Sequence, residues 1–228
     1  MNDLAQNLIE ELQCETVFTI PILGGIPVSE AVVVTWIIMA VLVVVSFILT
    51  RNLKVDHISK RQAVAESIVT GLMKMVQGMV GEKDKAYVPY LTTVMLYIGV
   101  SNIIGLFGFK SPTKDLRVTV ALALMSIILI EAAGIYHKGV KRWLHGFVEP
   151  VAIVTPINIL EVVTKPLSLC MRLFGNVLGA FVIMELLKMI LPVGLPVVFS
   201  LYFDIFDGLL QAYVFVFLTS LYIDEITE

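Results

Sequence analysis

The sequence predicts an all-α integral membrane protein with five transmembrane crossings and one amphipathic helix on the cytoplasmic side. Of its 228 residues, 58% are hydrophobic and 15% are charged, and five long apolar segments alternate with polar loops. A soluble domain has about 45–50% apolar and about 25% charged residues. A soluble fold of this length could not bury so much apolar surface, which argues against a water-soluble enzyme. The net charge of −3 gives no reason to expect a nucleic-acid partner.

The first crossing is predicted at 31–50, where twenty residues carry no charge. Such a segment spans a hydrocarbon core of roughly 30 Å at about 1.5 Å per residue. The preceding segment, 1–30, is expected outside; it holds five acidic residues and no lysine or arginine, unlike a secretion signal. The later crossings are predicted at 87–109, 116–137, 150–190 and 196–224. The last two form a hairpin that is longer than the bilayer requires and is therefore tilted, and the whole chain, 1–228, is one membrane domain.

Segment 58–82 has a different pattern. Its apolar residues recur every three or four positions, and basic and acidic residues interrupt them. This periodicity is typical of an amphipathic helix that lies on the membrane surface. Packing against a partner protein is the alternative. The apolar positions are Val64, Ile68, Leu72, Met75, Val76 and Met79.

Lysine and arginine predict the orientation. The two loops that follow the first and third crossings contain ten of these residues, whereas the opposite side contains only Lys110, Lys114 and Arg117. Cytoplasmic loops carry the excess of positive residues. The N-terminus is therefore expected outside and the C-terminus in the cytoplasm of a bacterial plasma membrane.

Ionisable residues inside the last two crossings point to function. Such a residue at mid-membrane costs at least roughly 2.5–3.5 kcal/mol and usually faces a protein interior or a water-filled path. Lys165 and Lys188 lie near helix ends, from which they can reach the interface. Arg172 lies in Pro166–Met184, which holds no other charge. The remaining polar positions are Asn176, Glu185, Asp204, Asp207 and Gln211.

These residues share helix faces. Steps of three and four place one polar stripe on the fourth crossing and another on the fifth. The fourth-crossing stripe comprises Glu161, Lys165, Ser168, Arg172, Asn176 and Gly179; the fifth-crossing stripe comprises Ser200, Asp204, Asp207 and Gln211. Folding the two crossings at Val193 puts Arg172 and Gln211 within roughly 5 Å of the same depth, with the acids towards the outer surface. Gly175 and Gly179 allow another helix to approach closely, either within the chain or from a partner.

Other classes are less well supported. A secondary ion-coupled transporter also places ionisable residues near the midplane but usually has two related halves, which this sequence lacks. The sequence contains no metalloprotease, serine-hydrolase or P-loop motif, so neither catalysis by the chain itself nor a cofactor is expected. Glu131, inside the third crossing, either hydrogen-bonds within the bundle or lines an ion path.

Three motifs resemble subunit a of the F-type ATP synthase. The strongest is Arg172-Leu-Phe-Gly-Asn176, preceded by Thr155-Pro-Ile-Asn-Ile-Leu-Glu161. Segments 101–120 and 210–219 also match, and the resemblance covers 87–223.

The resemblance implies a stator subunit that couples H⁺ or Na⁺ flow to ATP synthesis and faces a ring of c subunits. Arg172 would meet each ring carboxylate, with Gln211 and Asn176 beside it and Ser168, Gly175 and Gly179 facing the ring. Two offset half-channels would deliver and release the ion. Glu185, Asp204 and Asp207 would line the outer one, and Asn158 and Glu161 the cytoplasmic one. Peripheral-stalk b subunits and the rest of the complex would be partners in the lipid bilayer.

The sequence departs from the family pattern twice. A glutamate that many bacterial relatives carry after the arginine motif is absent from Leu178-Gly-Ala-Phe181, and Glu185 follows one helical turn later. Asp204 stands where some relatives have histidine.

Overall fold

Five long helices make up most of the computed structural model, which describes residues 16–20, 26–51, 53, 59–107, 111–146, 155–190 and 194–227. Five helices are long and apolar enough to cross a membrane. This confirms the predicted all-α membrane fold. Much of the predicted external segment and the turn at Val193 lie outside the described residues, as does the side chain of Lys188.

The first described element is a short antiparallel strand pair that the sequence did not predict, formed by β1 (Thr16–Ile20) and β2 (Ile26–Ser29). The helices that follow are α1 (Glu30–Thr50), α2 (Lys60–Gln77), α3 (Val88–Ile103), α4 (Leu116–Lys138) and α5 (Val140–Gly146). The last ones are α6 (Thr155–Ile190), α7 (Leu195–Ser200), a π-helix (Leu201–Asp207) and α8 (Gly208–Thr227). Three 3₁₀ turns complete the described elements at Glu82–Tyr87, Ile104–Phe107 and Pro112–Lys114.

Helices α3, α4 and α8 form the packed centre, and α6 lies against α4. Ile98 of α3, Leu122 of α4 and Phe215 of α8 belong to one buried cluster, which also includes Leu173 of α6. Lipid is as apolar as these side chains, so close van der Waals packing rather than water exclusion holds the helices together. The two helices of the predicted ion path are thereby fixed to a common scaffold.

Helix α1 packs over only part of its length. Ala31, Val34 and Ile38 are buried, whereas most positions beyond Ile38 are exposed. The β2–α1 junction is tied to α4 because the Ser29 hydroxyl donates to Asp115 Oδ2 at 2.7 Å. The N-terminal part of α1 is therefore anchored to the bundle, while its second half presents apolar side chains away from the bundle.

Helix α2 is amphipathic with a divided apolar surface. Ser59 caps its N-terminus by accepting a hydrogen bond from the Gln62 backbone N–H. Val76 is fully buried, but Val64 and Ile68 are exposed. One part of the apolar face packs on the bundle, and the other is free to contact lipid or another protein, as the sequence pattern allowed.

Candidate functional site

Arg172 lies on the open face of α6. Leu169, Cys170 and Leu173 are buried and hold this part of α6 against the bundle. Because helical residues are spaced about 100° apart, Arg172 points away from that contact, and its side chain is exposed. Within the described part of the chain, its guanidinium makes no hydrogen bond or ion pair. A permanent cation is thus presented sideways from Pro166–Met184, a stretch of α6 that holds no other charged residue.

Small residues flank this arginine on the same face. Ser168 and Gly175 are exposed, and Gly179 is half-buried. A Cβ atom added at either glycine would meet no atom of this chain within 4 Å, leaving aside the helix's own backbone. The glycines therefore do not serve packing within the described chain, and the face can admit another helix closely.

Asn176 connects α6 to α8. It follows Arg172 by one helical turn, and its Nδ2 donates to Gln211 Oε1 at 3.4 Å. Gln211 is 4% exposed, and its Nε2 has no hydrogen-bond partner. The sequence placed Gln211 at the depth of Arg172, and the structure gives it a direct contact with Asn176 rather than with the arginine. Its unpaired buried donor is free to bind a water molecule or an incoming carboxylate.

A cavity of about 220 Å³, here called the Asp204 cavity, lies between α6 and the π-helix. All three predicted outer acids line it together with the amide pair just described. Ser200 donates to Asp204 Oδ2 at 2.7 Å, so the Asp204 carboxylate is oriented by its own helix. The polar lining residues are Asn102, Ser111, Lys114, Asn176, Glu185, Ser200, Asp204, Asp207 and Gln211.

Two of the acids of this cavity, Asp204 and Asp207, sit on a π-helix, whereas their spacing predicted a regular α-helix. The π-helix spans Leu201–Asp207 and ends at Gly208. The Nδ2 of Asn102, on α3, donates to the Gly208 carbonyl at 2.9 Å. Asn102 Oδ1 in turn accepts from Thr113 at 2.8 Å. A π-helical turn interrupts the regular α-helical hydrogen-bond pattern, and such turns often occur at functional sites. Here the side-chain amide of Asn102 supplies a hydrogen-bond donor at the C-terminal end of the π-helix.

Lys114 brings a positive charge to the same cavity. Its Nζ lies 3.7 Å from the centre of the Phe181 ring, a cation–π contact. The ammonium and the carboxylates of the lining therefore share one small volume, so the charge of the cavity is partly compensated.

A second cavity of about 240 Å³, here called the Glu161 cavity, lies between the ends of α4, α6 and α8. Both residues predicted for the cytoplasmic path, Asn158 and Glu161, line it. Lys165 Nζ lies 3.0 Å from Glu225 Oε2 and 3.8 Å from Glu161 Oε2. The lysine, predicted to reach the membrane interface, joins the two helices of the hairpin through these acids. Arg172 lines neither this cavity nor the Asp204 cavity.

Several site residues had no signal in the sequence. Asn102 is a single amide in an apolar span, and Glu225 lies among end-of-helix acids. Lys114 was counted only as a loop charge. Each of these residues belongs to the site because it contacts a residue that is distant in the sequence. The spacing of residues within one helix cannot reveal such a contact.

A model of a known protein family matches most of the chain. The family model described as ATP synthase A chain matches residues 32–224. This range includes the open face around Arg172, every residue that lines the Asp204 cavity, and all residues that line the Glu161 cavity except Glu225 and Ile226.

Three relatives illustrate the similarity. ATP synthase subunit a of Moorella thermoacetica is 34% identical over 203 residues, which cover 88% of this chain and 92% of the relative. ATP synthase subunit a 1 of Crocosphaera subtropica is 30% identical over 200 residues, covering 87% and 86%. A protein of Propionigenium modestum, described as ATP synthase subunit a, sodium ion specific, is 35% identical over 215 residues, covering 87% and 74%.

Proposed function

Because this chain belongs to the ATP synthase A chain family, we propose that it is the ion-conducting stator subunit of a rotary F-type ATP synthase. As a subunit a, it is a multi-pass membrane component of that complex. In the proposed role it works against a ring of c subunits and couples the passage of H⁺ or Na⁺ to rotation and ATP synthesis. The observation that carries the proposal is the exposed, unpaired guanidinium of Arg172 on an open helix face.

The arginine acts by lowering the pKa of each arriving ring carboxyl group. Facing lipid, that group is neutral because desolvation raises its pKa. At about 4 Å and an effective dielectric constant near 20, its attraction to Arg172 is roughly 4 kcal/mol. At about 1.36 kcal/mol for each pH unit, the pKa falls by about three pH units. The ring carboxyl then releases its proton, or exchanges its sodium ion, when it meets the arginine.

The arginine also prevents protons from passing directly from one half-channel to the other without rotation of the ring. A guanidinium is effectively never deprotonated, so it cannot hand a proton from one side to the other. An ion that enters through one half-channel must therefore be carried by the rotating ring past the lipid before it leaves through the other half-channel. Each charge that crosses the membrane contributes about 2.3 kcal/mol for every 100 mV.

Two separate polar cavities support an offset pair of half-channels. The Asp204 cavity, lined by Glu185, Asp204 and Asp207, serves as the outer path, and the Glu161 cavity as the cytoplasmic path. Arg172 lines neither cavity, and along α6 it lies between the residues that line the Glu161 cavity, which end at Lys165, and those that line the Asp204 cavity, which begin at Asn176. This order supports a role for the arginine as the separator of the two paths.

The proposed membrane arrangement follows from the loops. The excess of lysine and arginine after the first and third spans puts the N-terminus outside and the C-terminus in the cytoplasm of a bacterial plasma membrane. The open face of α6, with Ser168, Gly175 and Gly179, contacts the c ring. Peripheral-stalk b subunits are the other membrane partners.

Purification of the tagged chain from its native membrane in mild detergent tests the assignment. The expected preparation contains a ring-forming small subunit, stalk subunits and a soluble ATPase head in constant proportion. A chain that purifies alone, and transports an ion alone after reconstitution into vesicles, would instead be a transporter.

A further inference from the structure

Glu131 is a carboxylate inside a membrane span that the roles proposed above leave unused. It lies on α4, seven residues before Lys138 and therefore about 10 Å from the end of that helix. Its side chain is only half-buried. An acid at such a depth is costly and normally marks a water-filled path or a partner.

Glu131 forms a hydrogen bond with an uncharged side chain, the indole of Trp143. After Gly139, which has φ +76° and so lets the chain reverse, α5 brings Trp143 back over α4. The Trp143 indole Nε1 donates to Glu131 Oε2 at 2.9 Å. Within the part of the chain that the structure describes, Glu131 has no ion pair. One carboxylate oxygen is thus held in place, and the other has no donor among the residues that the structure describes.

Glu131 faces the Glu161 cavity, which is large enough for several water molecules. The other charged groups around it come from every neighbouring element: Lys138, Arg142, Glu161, Lys165 and Glu225. Glu161 and Glu225 are both paired with Lys165. Glu131 is therefore the one of the three lining acids that has no cation within ion-pair distance among the described residues.

We propose that Glu131 is a further ion-binding residue of the cytoplasmic path, held in position by Trp143. This inference rests on the proposed function. In operation, the carboxylate binds the H⁺ or Na⁺ that leaves the ring and passes the same ion to water in the Glu161 cavity, and it returns to its starting charge after each transfer. No bond other than that to the ion is made or broken.

Glu131→Gln separates this role from a structural one. The glutamine keeps an oxygen that accepts from Trp143 but cannot bind a proton or pair with sodium as a carboxylate does. In inside-out vesicles, where the medium contacts the cytoplasmic side, we expect ATP-driven pumping to fall about tenfold. The loss is smaller than the roughly 10²–10⁴-fold typical of a positioned acid–base group, because Glu161 and Glu225 remain. Dependence of the rate on medium pH, or on medium Na⁺ for a sodium enzyme, should also weaken.

Two further variants make the result decisive. Trp143→Phe removes the indole donor but leaves the carboxylate, so it should lower the rate less than Glu131→Gln and preserve its dependence on pH or Na⁺. Glu66→Gln, on the exposed side of α2, is the matched control and should pump like the parent complex. Normal pumping by Glu131→Gln with a normal ion profile would overturn the inference. Arg172→Ala in the same vesicles tests the proposed function separately from the role of Glu131. If the Arg172→Ala complex still pumps ions, the proposed function itself fails.

Discussion

Asn102 and Gly208 meet across α3 and the start of α8 with no room for an additional atom. The amide of Asn102 donates to the Gly208 carbonyl at 2.9 Å, and a Cβ placed on Gly208 would lie 2.7 Å from the Asn102 Cβ. In the segments next to this contact, Gly105 of the 3₁₀ turn Ile104–Phe107 lies near the carboxylate of Asp204 in the π-helix, which would be 3.3 Å from a Cβ on that glycine. This close approach fixes the π-helix, and with it Asp204 and Asp207, on the bundle.

Gly208→Ala should therefore destabilise the assembled protein. The added methyl clashes with a buried side chain rather than with a flexible tip, and overpacking of this kind costs about 1–3 kcal/mol. The measurement is the thermal denaturation midpoint of the purified complex. Gly71→Ala is the control: nothing lies within 4 Å of a Cβ at Gly71, so this change should be neutral or stabilise by about 0.4–1 kcal/mol. Equal midpoints for both variants would contradict the close packing.

The ion pair between Lys165 and Glu225 should contribute little to stability. Its 3.0 Å separation is favourable, but the Glu225 side chain is 52% exposed. Exposed pairs typically contribute about 0.2–1 kcal/mol. A double-mutant cycle with Lys165→Met and Glu225→Gln, read from denaturant unfolding in detergent, should give a coupling energy within that range. A coupling of several kcal/mol would mean that the pair is desolvated in the assembly.

Gly175→Leu should block function while leaving the fold intact. No atom of the described chain outside the helix's own backbone is within 4 Å of a Cβ at this position, so the leucine meets only lipid or a partner. If the face contacts the ring, a clash of about 1–3 kcal/mol should lower ATP synthesis by tenfold or more at unchanged amounts of chain in the membrane. Gly71→Leu is the size-matched control, because it adds the same side chain on α2 at a position where nothing lies within 4 Å of an added Cβ. Full activity of Gly175→Leu would show that the ring lies elsewhere.

Sequence reasoning recovered those parts of the molecule that depend on local pattern. Twenty uncharged residues suffice to define α1, and steps of three and four correctly placed Ser168 and Arg172 on one face of α6. The acids Glu185 and Asp204 were expected near each other because their distances from the turn are similar, and they do line one cavity.

Features that depend on contacts between distant segments could not be predicted. The π-helix adds room within a turn whose residue spacing also fits an α-helix, so the sequence carries no sign of it. The Trp143–Glu131 hydrogen bond requires α5 to fold back, and the Asn102–Gly208 contact joins residues 106 positions apart. Glu131 shows the consequence: its two alternative roles were equally consistent with sequence, whereas the structure shows both a bundle hydrogen bond and a place in the cavity lining.

The most direct test of the central claim is coupled ATP synthesis in membrane vesicles that carry Arg172→Ala. Without the fixed cation, ring carboxyls have no reason to release their ion at the stator, and ions can pass between the two paths. We predict that synthesis is lost while the complex still assembles and the membrane becomes passively permeable to the coupling ion. Arg172→Lys, which keeps a positive charge, should retain more coupling than the alanine variant. Undiminished synthesis by Arg172→Ala, with no ion leak, would contradict the proposed mechanism.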